Sequence, residues 1–478
     1  MAFQPKSWFY VLLFALTAVM VFLLGLFGAS VVERRSEANQ LLQPVKTIAE
    51  WEPRNEVWGQ NYPREYETYK ATFDTTFASL HGGSATIDML ERYPQLVVLW
   101  AGYSFSRDYK QSRGHYHAVE DIRNTLRTAV EQPGTCWSCK STDVPRLMSK
   151  VGPADFYKAK WEEWGKDIQN NIGCQDCHDP QSMNLRITRP ALIEAYQRRG
   201  KNIQDATHQE MRSQVCAQCH VEYYFKGKTE KYLTFPWDQG STAEEIEKYY
   251  DQVEHVDWVH QLSRAPMLKA QHPDWELFQL GIHFQRGLAC ADCHMPYRSE
   301  GGVKFTNHKI SSPLENVAGS CGVCHRESET ALIQNVYERQ DKVRQLMGMA
   351  EDLLTKAHIE TKAALDHAAS PEQLVPIQQL IRQAQWRWDF VAASHGGSFH
   401  APLECSRILG HAIEKASEAR RLLALLLIRL GAPLPAPMPD LSTKAKAQQY
   451  IGLDMARLER EKNLFKKNVL PQWIAAGR

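Results

Sequence analysis

Ten of the eleven cysteines in this chain fall into five pairs with the same two-residue gap: Cys136/Cys139, Cys174/Cys177, Cys216/Cys219, Cys290/Cys293 and Cys321/Cys324. No other feature restricts the fold as much. A disulfide framework has no reason to repeat one spacing five times, even in an oxidising compartment. Four of the pairs run directly into histidine, at His178, His220, His294 and His325. C-x-x-C-H is the attachment signature of c-type haem: two thiols bond the porphyrin, and the histidine next in the chain bonds the iron. Zinc also uses C-x-x-C pairs, but it needs two pairs brought together and gives the adjacent histidine no required role. Haem supplies much of the core in such a chain. The motif region is therefore expected to consist of short helices and loops.

The first pair departs from the rule. T-C-W-S-C-K, residues 135–140, carries Lys140 where the histidine belongs. Lysine is a ligand only as the neutral amine, so burial and metal must lower its pKa. The alternative is a decayed site without haem. Axial-ligand identity tunes haem electronics, and a haem given a unique ligand is the one expected to have a unique task. With its other face open, it could take a small molecule. The chain has 18 histidines. If the four C-x-x-C-H haems are six-coordinate carriers, four more histidines must serve as second ligands, and spacing does not choose them.

The remaining composition bounds the problem. With 478 residues and a net charge of +1, the chain is long enough for two or three domains. It gives no reason to expect nucleic acid as a partner and has no global field to steer an anion. Ser7 to Val32 contains no charged residue. That run is longer than a usual signal core and long enough to span a bilayer. Residues 1–32 therefore read as an export signal or a membrane anchor, and 33–478 as the exported, periplasmic part.

The haem-attachment region covers about 101–325 and is broken by turns such as Pro133-Gly134 and Asp179-Pro180. The region from about 326 to 478 has a different texture. Val343, Leu346, Ala350, Leu353 and Ala357 recur at spacings of three and four, which predicts an amphipathic helix from about Glu327 to Ala369. A second helix is expected from near Pro376 to Ala393. A third is expected from about Leu403 to Leu430, stopped by Gly431 and Pro433. The apolar run at 419–430 suits burial or a subunit contact. Cys405 reads as a small buried residue. No strand-rich segment is evident, and the fold class is mainly α.

At this point the chain resembles the ammonia-forming cytochrome c nitrite reductases, which are pentahaem proteins. The resemblance runs from about Tyr66 to the C-terminus. It rests on C-W-S-C-K followed by four C-x-x-C-H, and on AGYSFSRDY (101–109), RGHYHAVEDIRNTLR (113–127), CHVEYYF (219–225), PMLKAQHPDWE (266–276), GIH (281–283), NHKI (307–310) and AQWRWDFVAASHGGSFHAP (384–402). It implies five covalently attached haems and assigns the second ligands. His115 pairs with the Cys216/Cys219 haem, His283 with Cys321/Cys324, His308 with Cys174/Cys177 and His400 with Cys290/Cys293. His395 is the nearby decoy. The resemblance places Arg127, Tyr223 and His272 over the open face of the Lys140 haem. Their chemistry suits nitrite: a fixed cation, a hydroxyl donor and an imidazole that moves protons. It also implies one calcium ion, held by Glu222, Gln271 and the backbone carbonyls of Tyr223 and Lys269, oxygen ligands that calcium prefers. The implied activity is six-electron reduction of nitrite to ammonium by a homodimer, with electrons from a quinol dehydrogenase or a small multihaem cytochrome. A pure electron carrier is the competing reading, as is a reductase preferring hydroxylamine or sulfite.

Overall fold

The computed structural model describes residues 7–41, 44–128 and 132–477. The first six residues of the expected signal or anchor lie outside that set.

Three long helices form the scaffold of the C-terminal part. Glu329–Asp366 begins at Ser328, whose side chain accepts the Ala331 N–H, and ends as the chain turns left-handed at Ala368. Its inward stripe is Val343, Ala350, Leu354, Ala357 and Ala364, all buried. Leu346 and Leu353, expected in that stripe, are only partly buried at its edge. Pro371–Ala393 starts five residues before the sequence suggested. Ser370 and Gln373 form a reciprocal cap with Pro371 in the first turn, where a missing N–H costs nothing. Pro376 therefore lies inside the helix instead of opening it. Pro402–Arg429 matches expectation and ends at Gly431, which has a left-handed φ of 66°. Here Ala432 N–H returns to Leu427 O, closing the free carbonyls of the last turn. This third helix packs along both of the others. In the 419–430 run, Ala419, Leu423, Leu426 and Leu427 are buried, while Leu425 and Ile428 face outward. Cys405 is fully buried, as expected.

The motif region is built from short helices and turns, with three small antiparallel hairpins among the described residues: Tyr224–Lys226 with Tyr232–Thr234, Trp258–Val259 with Pro266–Met267, and Tyr297–Glu300 with Val303–Thr306. The protein is mainly α. Ser7–Leu41 is a single helix whose apolar part, Ser7–Arg34, contains an 18-residue stretch of mean hydropathy 2.7 that is not buried against the rest of the chain.

Candidate active site

A continuous cavity of about 1960 Å³, partly open to solvent, runs through the motif region. All ten paired cysteines line it, as do Lys140, the four motif histidines, the four assigned second ligands, Arg127, Tyr223 and His272. It is well above the usual size of a small-molecule pocket. Ten thiols and eight imidazoles on one cavity wall are the donor set that several covalently held haems require.

The local backbone explains how each motif presents its ligands. In a helical turn, residues at i, i+3 and i+4 share a face, so two cysteines and the following histidine point the same way. The N–H groups of His178, His220 and His325 return to Cys174 O, Cys216 O and Cys321 O at 2.9 Å each. The lysine motif is wound tighter: Lys140 N–H reaches Trp137 O at 2.9 Å, one residue short of that pattern. Its entry is held by Gly134, where a Cβ would collide with the Phe156 carbonyl. Trp137 anchors the turn by stacking on Trp161 at 5.0 Å. Among the described residues, the Lys140 amine has no hydrogen-bond or ion-pair partner. An amine facing a cavity without a carboxylate is free to donate its lone pair to a metal once deprotonated.

The histidines pair across the cavity. Ring centres are 6.3 Å apart for His178 and His308, 6.3 Å for His294 and His400, 6.4 Å for His283 and His325, and 6.2 Å for His115 and His220. Two imidazoles bonded to opposite sides of one metal at about 2 Å each place their ring centres roughly 6 Å apart. His220 has a second neighbour at similar range, His272 at 6.4 Å. His272 lies with Asp274, which approaches His220 on its Nδ1 side. Of the two, His115 is the ring that the family resemblance sets opposite His220. His395 faces no motif histidine and instead sits edge-on to His272 at 4.9 Å. Several other histidines are committed elsewhere: His260 and His358 stack in the core, His81 pairs with Asp341, and His117 bonds Phe73 O. A close approach holds the segments carrying His283 and His400 together, because a Cβ at Gly281 would strike the His400 carbonyl.

Arg127, Tyr223 and His272 border the part of the cavity next to Cys136, Cys139 and Lys140. The Arg127 guanidinium lies 4.4 Å from the Phe105 ring centre and has no carboxylate partner among the described residues. Its loop is tied down by Lys462, whose amine donates to Arg123 O (3.1 Å) and Thr128 Oγ1 (2.8 Å). Burial pushes the His272 imidazole well below its ordinary pKa, so it is neutral, and its Nδ1 has no partner.

Glu222, Gln271, Tyr223 and Lys269 also come together. Glu222 is fully buried; its oxygens accept Tyr250 OH (2.9 Å) and Gln271 N–H (2.6 Å), with no cationic side chain bonded to it among the described residues. Burial, and Glu276 beside it, push its carboxyl well above the usual range. Glu276 is pushed up to about 8 by burial, and its Oε2 has no partner. Asp257 adds a third carboxylate, accepting Lys269 N–H at 2.8 Å. The Lys269 amine turns away to Asp389. Buried acidic groups without a counter-charge fit a hard divalent cation. The sequence reading missed Glu276, Asp257, Asp274 and Asp389. Their only signal was nearness to quoted stretches, because ordinary core and turn positions carry the same residues.

Cysteine pairs, opposed histidines and a helical scaffold define a multihaem c-type cytochrome. The chain belongs to the cytochrome c552 family, whose sequence profile matches residues 54–478. It is 57% identical to a cytochrome c-552 of Parabacteroides distasonis over 98% of this chain and 96% of that protein. It is 44% identical to one of Aliarcobacter butzleri, over 97% and 95%. A solved cytochrome c nitrite reductase from Desulfovibrio desulfuricans, described for two calcium sites in its catalytic subunit, superposes with a TM-score of 0.76. The two are 28% identical, covering 90% of this chain and 96% of that one. The chain is thus an oxidoreductase with the cytochrome c nitrite reductase fold.

Proposed function

We propose that this protein reduces nitrite to ammonium at a lysine-ligated haem fed by four bis-histidine haems. The observation that carries the reading is an asymmetry. Four motif histidines each face a second histidine at 6.2–6.4 Å, whereas Lys140 faces Arg127, Tyr223 and His272. Five haems, when bound by the five cysteine pairs, would supply electron storage and one open coordination position.

The chain's own residues account for the rest. Arg127, unpaired by any carboxylate among the described residues, holds the anion and hydrogen-bonds an oxygen as it leaves as water. His272, neutral in its buried site, hydrogen-bonds the substrate and passes protons to it. Tyr223 adds a hydroxyl donor. Glu222, Gln271 and the carbonyls of Tyr223 and Lys269 would hold one calcium ion. The cation would offset the buried carboxylates and fix the two segments carrying Tyr223 and His272. Residues 7–32 direct export to the periplasm. The span Ser7–Arg34, 28 residues and about 42 Å of helix against a bilayer core of about 30 Å, favours a retained tether. The outward apolar residues Leu425 and Ile428 suit a homodimer contact between long helices, and a quinol dehydrogenase or small multihaem cytochrome would deliver the electrons.

The test is direct. Haem-loaded protein given nitrite and reduced viologen should form ammonium. A preparation with all five haems and no ammonium would show the protein to be a carrier only.

A further inference from the structure

The four motif histidines differ in what stands behind them. His178 Nδ1 lies 2.9 Å from Met183 O, and His294 Nδ1 lies 2.9 Å from Ser311 O, both neutral backbone acceptors. His325 Nδ1 is 3.7 Å from Glu327, and both side chains are about half exposed, so water screens the charge. The His220 side chain is as open as that of His325, at 48%, but among the motif histidines it alone faces a carboxylate that is itself buried: Asp274 Oδ2 is 3.8 Å from its Nδ1, with the Asp274 side chain only 11% exposed. The carboxylate is aimed by its other oxygen, which accepts Ser394 Oγ–H at 2.8 Å and Gly396 N–H at 3.0 Å. Oδ2 itself has no hydrogen-bond partner. Among the described residues Oδ2 is an acceptor without a donor beside the His220 Nδ1, and the bond closes when Nδ1 carries the proton.

The place of this motif matters. The Cys219 side chain is a close neighbour of Cys139 of the lysine motif, and the Cys216 side chain of Cys290 of the next one. The Cys216/Cys219 site is therefore the step between the lysine site and the chain of carriers. A carboxylate accepting the outer N–H of a metal-bound imidazole makes that imidazole a stronger donor and favours the oxidised metal.

We propose that Asp274 is a positioning residue that accepts the Nδ1–H of His220 and makes the Cys216/Cys219 haem lower in potential than the haems whose histidines donate to backbone carbonyls. Electrons then pass readily from this haem to the lysine site. The inference rests on His220 being an axial ligand, as proposed above.

Asp274→Asn keeps the Oδ1 acceptor for Ser394 and Gly396 but replaces Oδ2 with a donor. In a redox titration of the haem-loaded protein followed by electron paramagnetic resonance, the low-spin signal that disappears in His115→Ala should shift upward. A shift of about 59 mV or more, a tenfold change in its reduction equilibrium, is expected. Ser394→Ala removes a donor from the same carboxylate and makes it a better acceptor, so that midpoint should fall. An intact low-spin spectrum with every midpoint unmoved in Asp274→Asn overturns the inference. If that variant fails to load haem, Ser394→Ala decides: a downward shift supports it, and no shift or an upward one overturns it. Absence of low-spin bis-histidine signals from the unmutated protein would instead defeat the functional reading.

Discussion

Lys269 and Asp389 form an ion pair of 2.8 Å with both side chains sealed from solvent. The other Asp389 oxygen accepts the Ala270 N–H at 3.1 Å. Two bonds thus clamp the segment carrying Gln271 and His272 to the Pro371–Ala393 helix. Asp389→Ala leaves a buried ammonium unpaired and should cost about 3–5 kcal/mol, read by denaturant unfolding. Lys269→Met with Asp389→Leu should cost less than Asp389→Ala, because no lone charge remains. A double variant as unstable as the single would show the clamp to be something other than a charge pair.

Lys462 is 3% exposed, and burial lowers its pKa to about 8 from 10.5. The unfolded chain therefore binds more protons than the folded one between those values, so stability rises with pH across that window. The gain should reach about 3 kcal/mol and vanish in Lys462→Met. Because Lys462 also ties the loop bearing Arg127, the same variant should raise KM for nitrite more than it lowers kcat.

Lys140→His should still take up haem, since it restores C-x-x-C-H, but lose most nitrite reduction. Arg127→Ala should lower kcat by about 10²–10³-fold while leaving haem content unchanged. Activity like that of the unmutated protein in Lys140→His, measured as ammonium formed, would remove the lysine from the mechanism.

Calcium chelation should lower the rate of ammonium formation without altering the four low-spin haem signals, because the acidic cluster supports Tyr223 and His272 and not the histidine pairs. Glu222→Gln should reproduce the chelated state and abolish rescue by added calcium.

N-terminal sequencing of protein from the membrane fraction should find residues 7–32 retained, with release from membranes by detergent but not by salt. A mature chain starting near Ser30 would show cleavage.

The cysteine spacing by itself determined that this chain holds haem, how many sites it has and which one is exceptional. Covalent attachment is a local act, needing only residues within one helical turn. The same locality made the long helices legible, since Val343, Ala350 and Ala357 mark their face by period alone. Chain pattern could not pair His400 with His294, set His395 apart, gather Glu222 with Glu276 and Asp257, or put Asp274 behind His220. Those groups lie on separate segments with ordinary local surroundings. Only packing against the shared cavity and the three-helix scaffold brings them within bonding range.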